Sequence, residues 1–267
     1  MSEYLIDGTT IFAAHGGGHL EPSRPAVVLV HGAGMDHSVW ALQSRALARA
    51  GYSVLAVDLP GHGRSGGQAL ASIEALADWL DRFIGVAGFD SAMVAGHSMG
   101  ALASLDLAAR HPARVRGLVL LGAAAAMPVH PDLIAAAQED LPAAAAMITA
   151  WGFSASAALG GNPAPGLWLT GGARRLLERS RPGVLHTDLV ACDGYGGGEA
   201  AAALIRCPTL VVAGEADRMS PAKAGRALAA LIAGGKVEVL AGAGHMLMAE
   251  RPDAVLGALR AYSAGTG

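Results

Sequence analysis

Short continuous apolar runs alternate along this chain with longer amphipathic stretches, and that alternation sets the expected architecture. Residues 26–30 (Ala-Val-Val-Leu-Val), 54–57, 92–95, 118–121, 209–213 and 237–240 have the length of strands, and those at 26–30, 54–57 and 118–121 suit burial on both faces. Residues 38–50 read as a helix with Val39, Leu42, Ala46 and Ala50 near one face. A better-formed helix starts at its N-cap Ser72 and places Ile73, Leu76, Ala77, Leu80, Phe83 and Ile84 at helical spacing. A third helix follows residue 98 and stops before Pro112, with Arg110 and His111 complementing its negative end. Ser220 as N-cap and Pro221 as first helical residue open another over 220–233, and a closing helix starts near Pro252, with Val255, Leu256, Leu259 and Tyr262 facing inward. Ahead of all these, residues 5–13 alternate loosely about Asp7-Gly8, the signal of an antiparallel edge ribbon.

Strand–helix alternation specifies a parallel sheet with right-handed crossovers. The pattern breaks between residues 122 and 204, where alanine-rich helical pieces, prolines and a loop at 160–166 replace any convincing strand. The expectation is therefore an α/β fold: a mostly parallel central sheet with helices on both faces and an inserted helical cap. The core comprises residues 1–122 and 205–267, and the cap residues 123–204.

Composition narrows the class. Of 267 residues 52% are hydrophobic and 15% charged, which excludes disorder and points to a well-buried sheet. A formal charge of −3 without a basic run argues against nucleic acid or an anionic membrane surface as partner and leaves a small molecule. Met1 to Asp7 lack the basic start and apolar core of a signal peptide, and no apolar run reaches transmembrane length. Cys192 and Cys207 are read as two free thiols in a reducing cytoplasm. No zinc-ligand spacing occurs, so neither a metal nor a cofactor is expected.

Candidate chemistry centres on Gly-His-Ser-Met-Gly at residues 96–100, which sits between an apolar strand and a helix-forming stretch. In that context the serine of Gly-x-Ser-x-Gly occupies a sharp strained turn, its hydroxyl lifted beyond the strand end and the next helix's amides aimed at what it attacks. Outside that context the motif is a small-residue turn. A serine needs a base, and the base needs an acid to fix its tautomer. Reactive groups in such sheets gather at the carboxyl ends of strands. His245 follows the last strand and is the candidate base; His97 supports the turn instead. Asp217, after the strand at 209–213, is the candidate acid, with Glu215 as its rival in the same loop. Asp58 also ends a strand, but its Pro-Gly turn suggests local backbone bonding.

Ser98, Asp217 and His245 in that chain order resemble the α/β-hydrolase superfamily over nearly all the chain. The resemblance implies an oxyanion hole from the backbone N–H of Met99 and that of Ala33 in His31-Gly32-Ala33. The segment Asp58-Leu-Pro-Gly-His-Gly-Arg-Ser65 is likewise similar to a family segment with a mainly structural role. A serine nucleophile excludes the branches that attack with aspartate. Gly34, Met35, Met127, Trp151, Trp168 and Met246 are available to line an apolar substrate pocket; Trp151, Trp168, Met127 and Tyr195 equally suit a small core within the cap. Arg174 and Arg175 form either a solvated face or, as the family's carbon–carbon bond hydrolases imply, a carboxylate clamp. The expected activity is hydrolysis of a small uncharged carboxylic ester through an acyl-enzyme. Carbon–carbon bond hydrolysis, cofactor-free perhydrolysis and a ligand-binding receptor of the same fold are the alternatives.

Overall fold

The computed structural model describes residues 1–161 and 166–264. Residues 162–165 of the loop expected at 160–166 lie outside them. Eight strands form one sheet: β1 (Ser2–Ile6), β2 (Thr9–Ala14), β3 (Ala26–Val30), β4 (Ser53–Val57), β5 (Ala92–His97), β6 (Val115–Leu121), β7 (Thr209–Gly214) and β8 (Lys236–Leu240). Their order is β1-β2-β4-β3-β5-β6-β7-β8. From β4 to β8 every neighbouring pair is parallel, while β1 and β2 form the expected antiparallel ribbon and β2 docks antiparallel on β4. Asp7 (φ 50°) and Gly8 (φ 76°) take the two left-handed positions of a two-residue hairpin turn.

The central strands are buried on both faces because helices cover both. Val28 and Val30 of β3 point into one core with α2 (Ile73–Val86), α3 (Met99–Arg110) and α10 (Ala222–Leu231). Val27 and Leu29 point into the other, with α1 (Ala41–Arg49) and α12 (Pro252–Ala264). This is the physical reason the strands read as unbroken apolar runs. Ser72 caps α2 as expected, accepting a hydrogen bond from Ala75 N at 3.1 Å. Ser220 does not cap α10: the helix starts at Ala222, and Ser220 Oγ is buried without a hydrogen-bond partner among the described residues. Its backbone N–H is instead committed to Asp217.

Between β6 and β7 lie α4 (Pro131–Glu139), α5 (Leu141–Gly152), α6 (Ala155–Ala158), α7 (Leu169–Glu178), α8 (Val184–Asp193) and α9 (Gly198–Leu204), and no strand among the described residues. α4, α5, α7 and α8 pack on one another. α9 differs: it packs on α3 and α10, and Ala201 and Ala202 join their core. In packing terms the sheet's helical layer therefore resumes before Leu204, because small residues let α9 settle against α3. Short α11 (Leu247–Glu250) links the loop after β8 to α12. No helix among the described residues is long and apolar enough to cross a membrane.

Candidate active site

The turn between β5 and α3 is built as its sequence requires. Ser98 sits at φ 54°, ψ −119°, a conformation that costs a non-glycine residue on the order of 1–3 kcal/mol. The surroundings hold it there: Ser98 N donates to Leu121 O of β6 at 2.9 Å. The flanking glycines supply close approach. A Cβ on Gly96 would collide with the Gly100 carbonyl, and one on Gly100 with the His31 and Val30 carbonyls. Gly96 lies beside Val30 of β3 and Leu120 of β6, so the serine emerges at the middle of the sheet.

Asp217 and His245, from loops after β7 and β8, meet beside it. His245 Nδ1 lies 2.8 Å from Asp217 Oδ2, and both side chains are almost wholly buried. Asp217 Oδ1 accepts from Met219 N and Ser220 N, each at 2.8 Å. Burial alone would raise the Asp217 carboxyl, but the His245 charge and hydrogen bond and those two amides hold it below the ordinary aspartate value. His245 Nε2 is buried and has no hydrogen-bond partner among the described residues. Glu215, the rival acid, instead accepts from Gly242 N at the surface, 2.9 Å away.

The His245 loop is tied to the inserted helices. His245 N and Met246 N both donate to Gly152 O at the end of α5, at 2.8 and 3.1 Å. The fully buried Glu250 carboxylate accepts from Gly244 N and Ser154 N. His97 supports the turn: its Nε2–H donates to His245 O at 3.0 Å, and the two rings lie 4.8 Å apart. Burial, with the neighbouring His245, lowers His97 to about 3, so it stays neutral. Asp58 accepts from Arg64 N, the local backbone bond expected of it, and also from His37 N and His37 Nδ1, 21 residues earlier in the chain. Asp36, His37 and Asp58 are the one metal-like cluster among the described residues, but these hydrogen bonds already occupy the Asp58 carboxylate.

A cavity of about 320 Å³ opens over Ser98 and His245. Met35, Met127 and Trp151 line it as expected, and Ala33, expected as an oxyanion donor, borders it too. Trp168, Gly34 and Met246 do not. Trp168 is 76% exposed, its ring lying over Gly171 of α7. The Gly34 amide turns to Asp188 of α8 at 2.8 Å, and Met246 is buried in the core below. Tyr195 is a core residue whose hydroxyl donates to Asp106 Oδ1 on α3 at 2.9 Å. Arg174 and Arg175 face solvent and pair with Glu178 on their own helix, each at 2.8 Å. Neither borders the cavity. Sequence reasoning missed Leu133, Ile148 and Leu189, which close its roof, together with His130 and Arg218. Arg218 adjoins Asp217 in the chain, a signal that could have found it; it is exposed and has no ion-pair partner among the described residues. Among the described residues the Ala33 and Met99 amides donate to no protein acceptor. Cys192, also at the cavity, and Cys207 are both free thiols, pushed up by burial.

Comparison with known proteins agrees with this architecture. The model of the alpha/beta hydrolase family matches residues 27–258. The (E)-2-((N-methylformamido)methylene)succinate hydrolase of Acinetobacter baylyi is 27% identical over 88% of this chain and 89% of its own. The pimeloyl-[acyl-carrier protein] methyl ester esterase of Aromatoleum aromaticum is 39% identical, over 43% of each chain. The chain thus spans less than half the length of some curated relatives it matches. The enol-lactonase of Burkholderia xenovorans superposes with a TM-score of 0.88 at 26% identity, covering 98% of this chain and 99% of that one. A sheet of this order, a strained serine at its centre and a family match over most of the sequence together place the chain in the alpha/beta hydrolase family, as an enzyme of that fold.

Proposed function

We propose that Ser98, His245 and Asp217 are the nucleophile, base and orienting acid of an ester hydrolase, with Ala33 and Met99 as oxyanion donors. One observation carries the reading: the His245–Asp217 pair leaves a buried, unpartnered Nε2 on the cavity that Ser98 also lines. His245 Nε2 takes the Ser98 proton as the hydroxyl attacks the ester carbonyl, and the two amides stabilise the tetrahedral oxyanion. The imidazolium then protonates the departing alcohol, leaving the acyl group on Ser98. Water, deprotonated by His245, releases the acid and restores the serine. Asp217 holds Nδ1–H throughout, fixing the tautomer.

The favoured substrate is a small uncharged carboxylic ester, because the cavity is small and its lining mostly apolar. Of the inserted residues 123–204, the helices α4 to α8 serve as its cap, and the enzyme works in a reducing cytoplasm, where its two thiols stay free. Arg218 favours a second reading, a substrate bearing a carboxylate, since it is an unpaired cation on a cavity lined by no acidic side chain. The test is a panel of neutral and anionic short-chain esters and lactones, run with the parent, Ser98→Ala and Arg218→Gln, alongside fluorophosphonate labelling. The expected result is turnover of neutral esters, covalent label on Ser98 and none of either in Ser98→Ala. A preference for anionic esters that Arg218→Gln removes would replace the first substrate class by the second. Full activity in Ser98→Ala would end the whole reading.

A further inference from the structure

Asp188 of α8 is 1% exposed, a carboxylate sunk between the inserted helices and the sheet. A buried charge of this kind destabilises unless it is paired and hydrogen-bonded. Asp188 Oδ2 is both paired and bonded, 2.7 Å from His62 Nε2 and accepting from Gly34 N at 2.8 Å, while Oδ1 is buried without a hydrogen-bond partner among the described residues. His62 belongs to the turn after β4, and its Nδ1 lies 3.0 Å from Pro60 O. Both ring nitrogens therefore face acceptors, an arrangement that the doubly protonated ring satisfies in full when Asp188 is ionised. Gly34 stands next to Ala33 in the loop after β3. Its φ of +66° favours glycine, and a Cβ there would meet Leu185 of α8 and Leu177 of α7 where these helices come down on the loop.

We propose that Asp188, clamped by the His62 imidazolium, is a positioning residue that fixes the Gly34 amide and thereby aims the neighbouring Ala33 N–H at the oxyanion. Docking of α8 then completes the oxyanion hole, so the inserted helices act on the reaction as well as covering the substrate. The inference rests on the triad and oxyanion reading above.

The titratable groups that face His62 are Asp188 from α8, Asp58 from the end of β4, and His31 from the loop after β3, with ring centroids 4.8 Å apart. His31 stays neutral: burial, then the His62 charge, lowers it to about 4, and its Nε2 accepts from Leu59 N. Burial would lower His62 as well. The Asp188 charge and hydrogen bond, the Pro60 carbonyl and Asp58 overcome it and hold His62 above its ordinary value. Because the folded value is raised, the clamp outlasts the ordinary imidazole titration and is lost only as pH rises through that folded value. Above it His62 has one hydrogen for two acceptors.

The test compares the parent with Asp188→Asn and His62→Gln on a neutral activated ester, reading kcat, KM, pH profile, affinity for an alkyl boronic acid and fluorophosphonate labelling of Ser98. Asp188→Asn should lose about tenfold or more in kcat with KM within about twofold, and boronate affinity should fall in step. His62→Gln should remove the alkaline limb contributed by the clamp, and gives the same readouts where Asp188→Asn does not fold. A labelled Ser98 with kcat, boronate affinity and alkaline limb all unchanged in whichever variant folds overturns the inference alone. An unlabelled Ser98 in the parent overturns the catalytic reading and this inference with it.

Discussion

Ser98 pays for its place with backbone strain, and that strain is useful because it removes the side chain from the helix and strand it joins. In the proposed triad, with His245 as base and Asp217 as its acceptor, the three residues would act as one unit. Removing the nucleophile or the base should therefore cost nearly what removing all three costs, and removing the acid less. Ser98→Ala and His245→Ala are each expected to lower kcat by about 10⁶-fold when chemistry is rate-limiting. Asp217→Asn should cost roughly 10⁴-fold, because an amide cannot hold Nδ1–H in the required tautomer. Steady-state kinetics on one activated ester, with circular dichroism to confirm folding, reads all three. A loss below about tenfold in Asp217→Asn would shift the acid's role to another residue.

At the scale of elements, α3 is pressed against β3 so tightly that Gly100 has carbonyls of Val30 and His31 where a Cβ would stand. Two effects compete in Gly100→Ala. Alanine gains about 1 kcal/mol over glycine inside a helix. Overpacking costs about 1–3 kcal/mol, and here the obstacle is backbone that cannot rotate away. Sterics should win, so the variant is expected to melt lower than the parent. The displaced His31 carbonyl also opens the loop carrying Ala33, so kcat should fall more than KM changes. Thermal melts and kinetics measure both; an unchanged melting temperature would mean that α3 can slide on β3.

For the whole molecule, a buried carboxylate paired with His37 stands at the carboxyl end of β4, so stability should follow pH through that pair. Asp58 accepts three hydrogen bonds and sits below its ordinary value: burial opposes this, and the His37 bond with the Arg64 and His37 amides outweighs it. His37 is correspondingly raised, the Asp58 bond overcoming burial. The depressed carboxyl contributes stability above about pH 4 that is lost as pH falls through its folded value. The raised imidazole contributes stability below about pH 6.5 that is lost as pH rises through its own. Asp58→Asn should therefore lower the melting temperature most between those limits, with the difference narrowing on either side. Melts of parent and variant from pH 3 to 9 check this; a constant gap would show that the charge of the pair contributes nothing.

The sequence alone determined the sheet, the turn at Ser98 and the two strand ends at which Asp217 and His245 stand. Each follows from local facts: an apolar run, a glycine spacing, a loop position after a strand. It also determined that residues 123–204 break the alternation. The cavity was another matter. Trp168, Gly34 and Met246 are as apolar as Trp151 and Met127, and composition cannot tell which of them face inward. The docking of α4, α5 and α8 decides that, and docking depends on contacts between residues far apart in the chain. His62 and Asp188, 126 positions apart, are a case in point. Neither has a local signal for the other, because only the folded chain brings an imidazole with two facing acceptors against a carboxylate shut away from water.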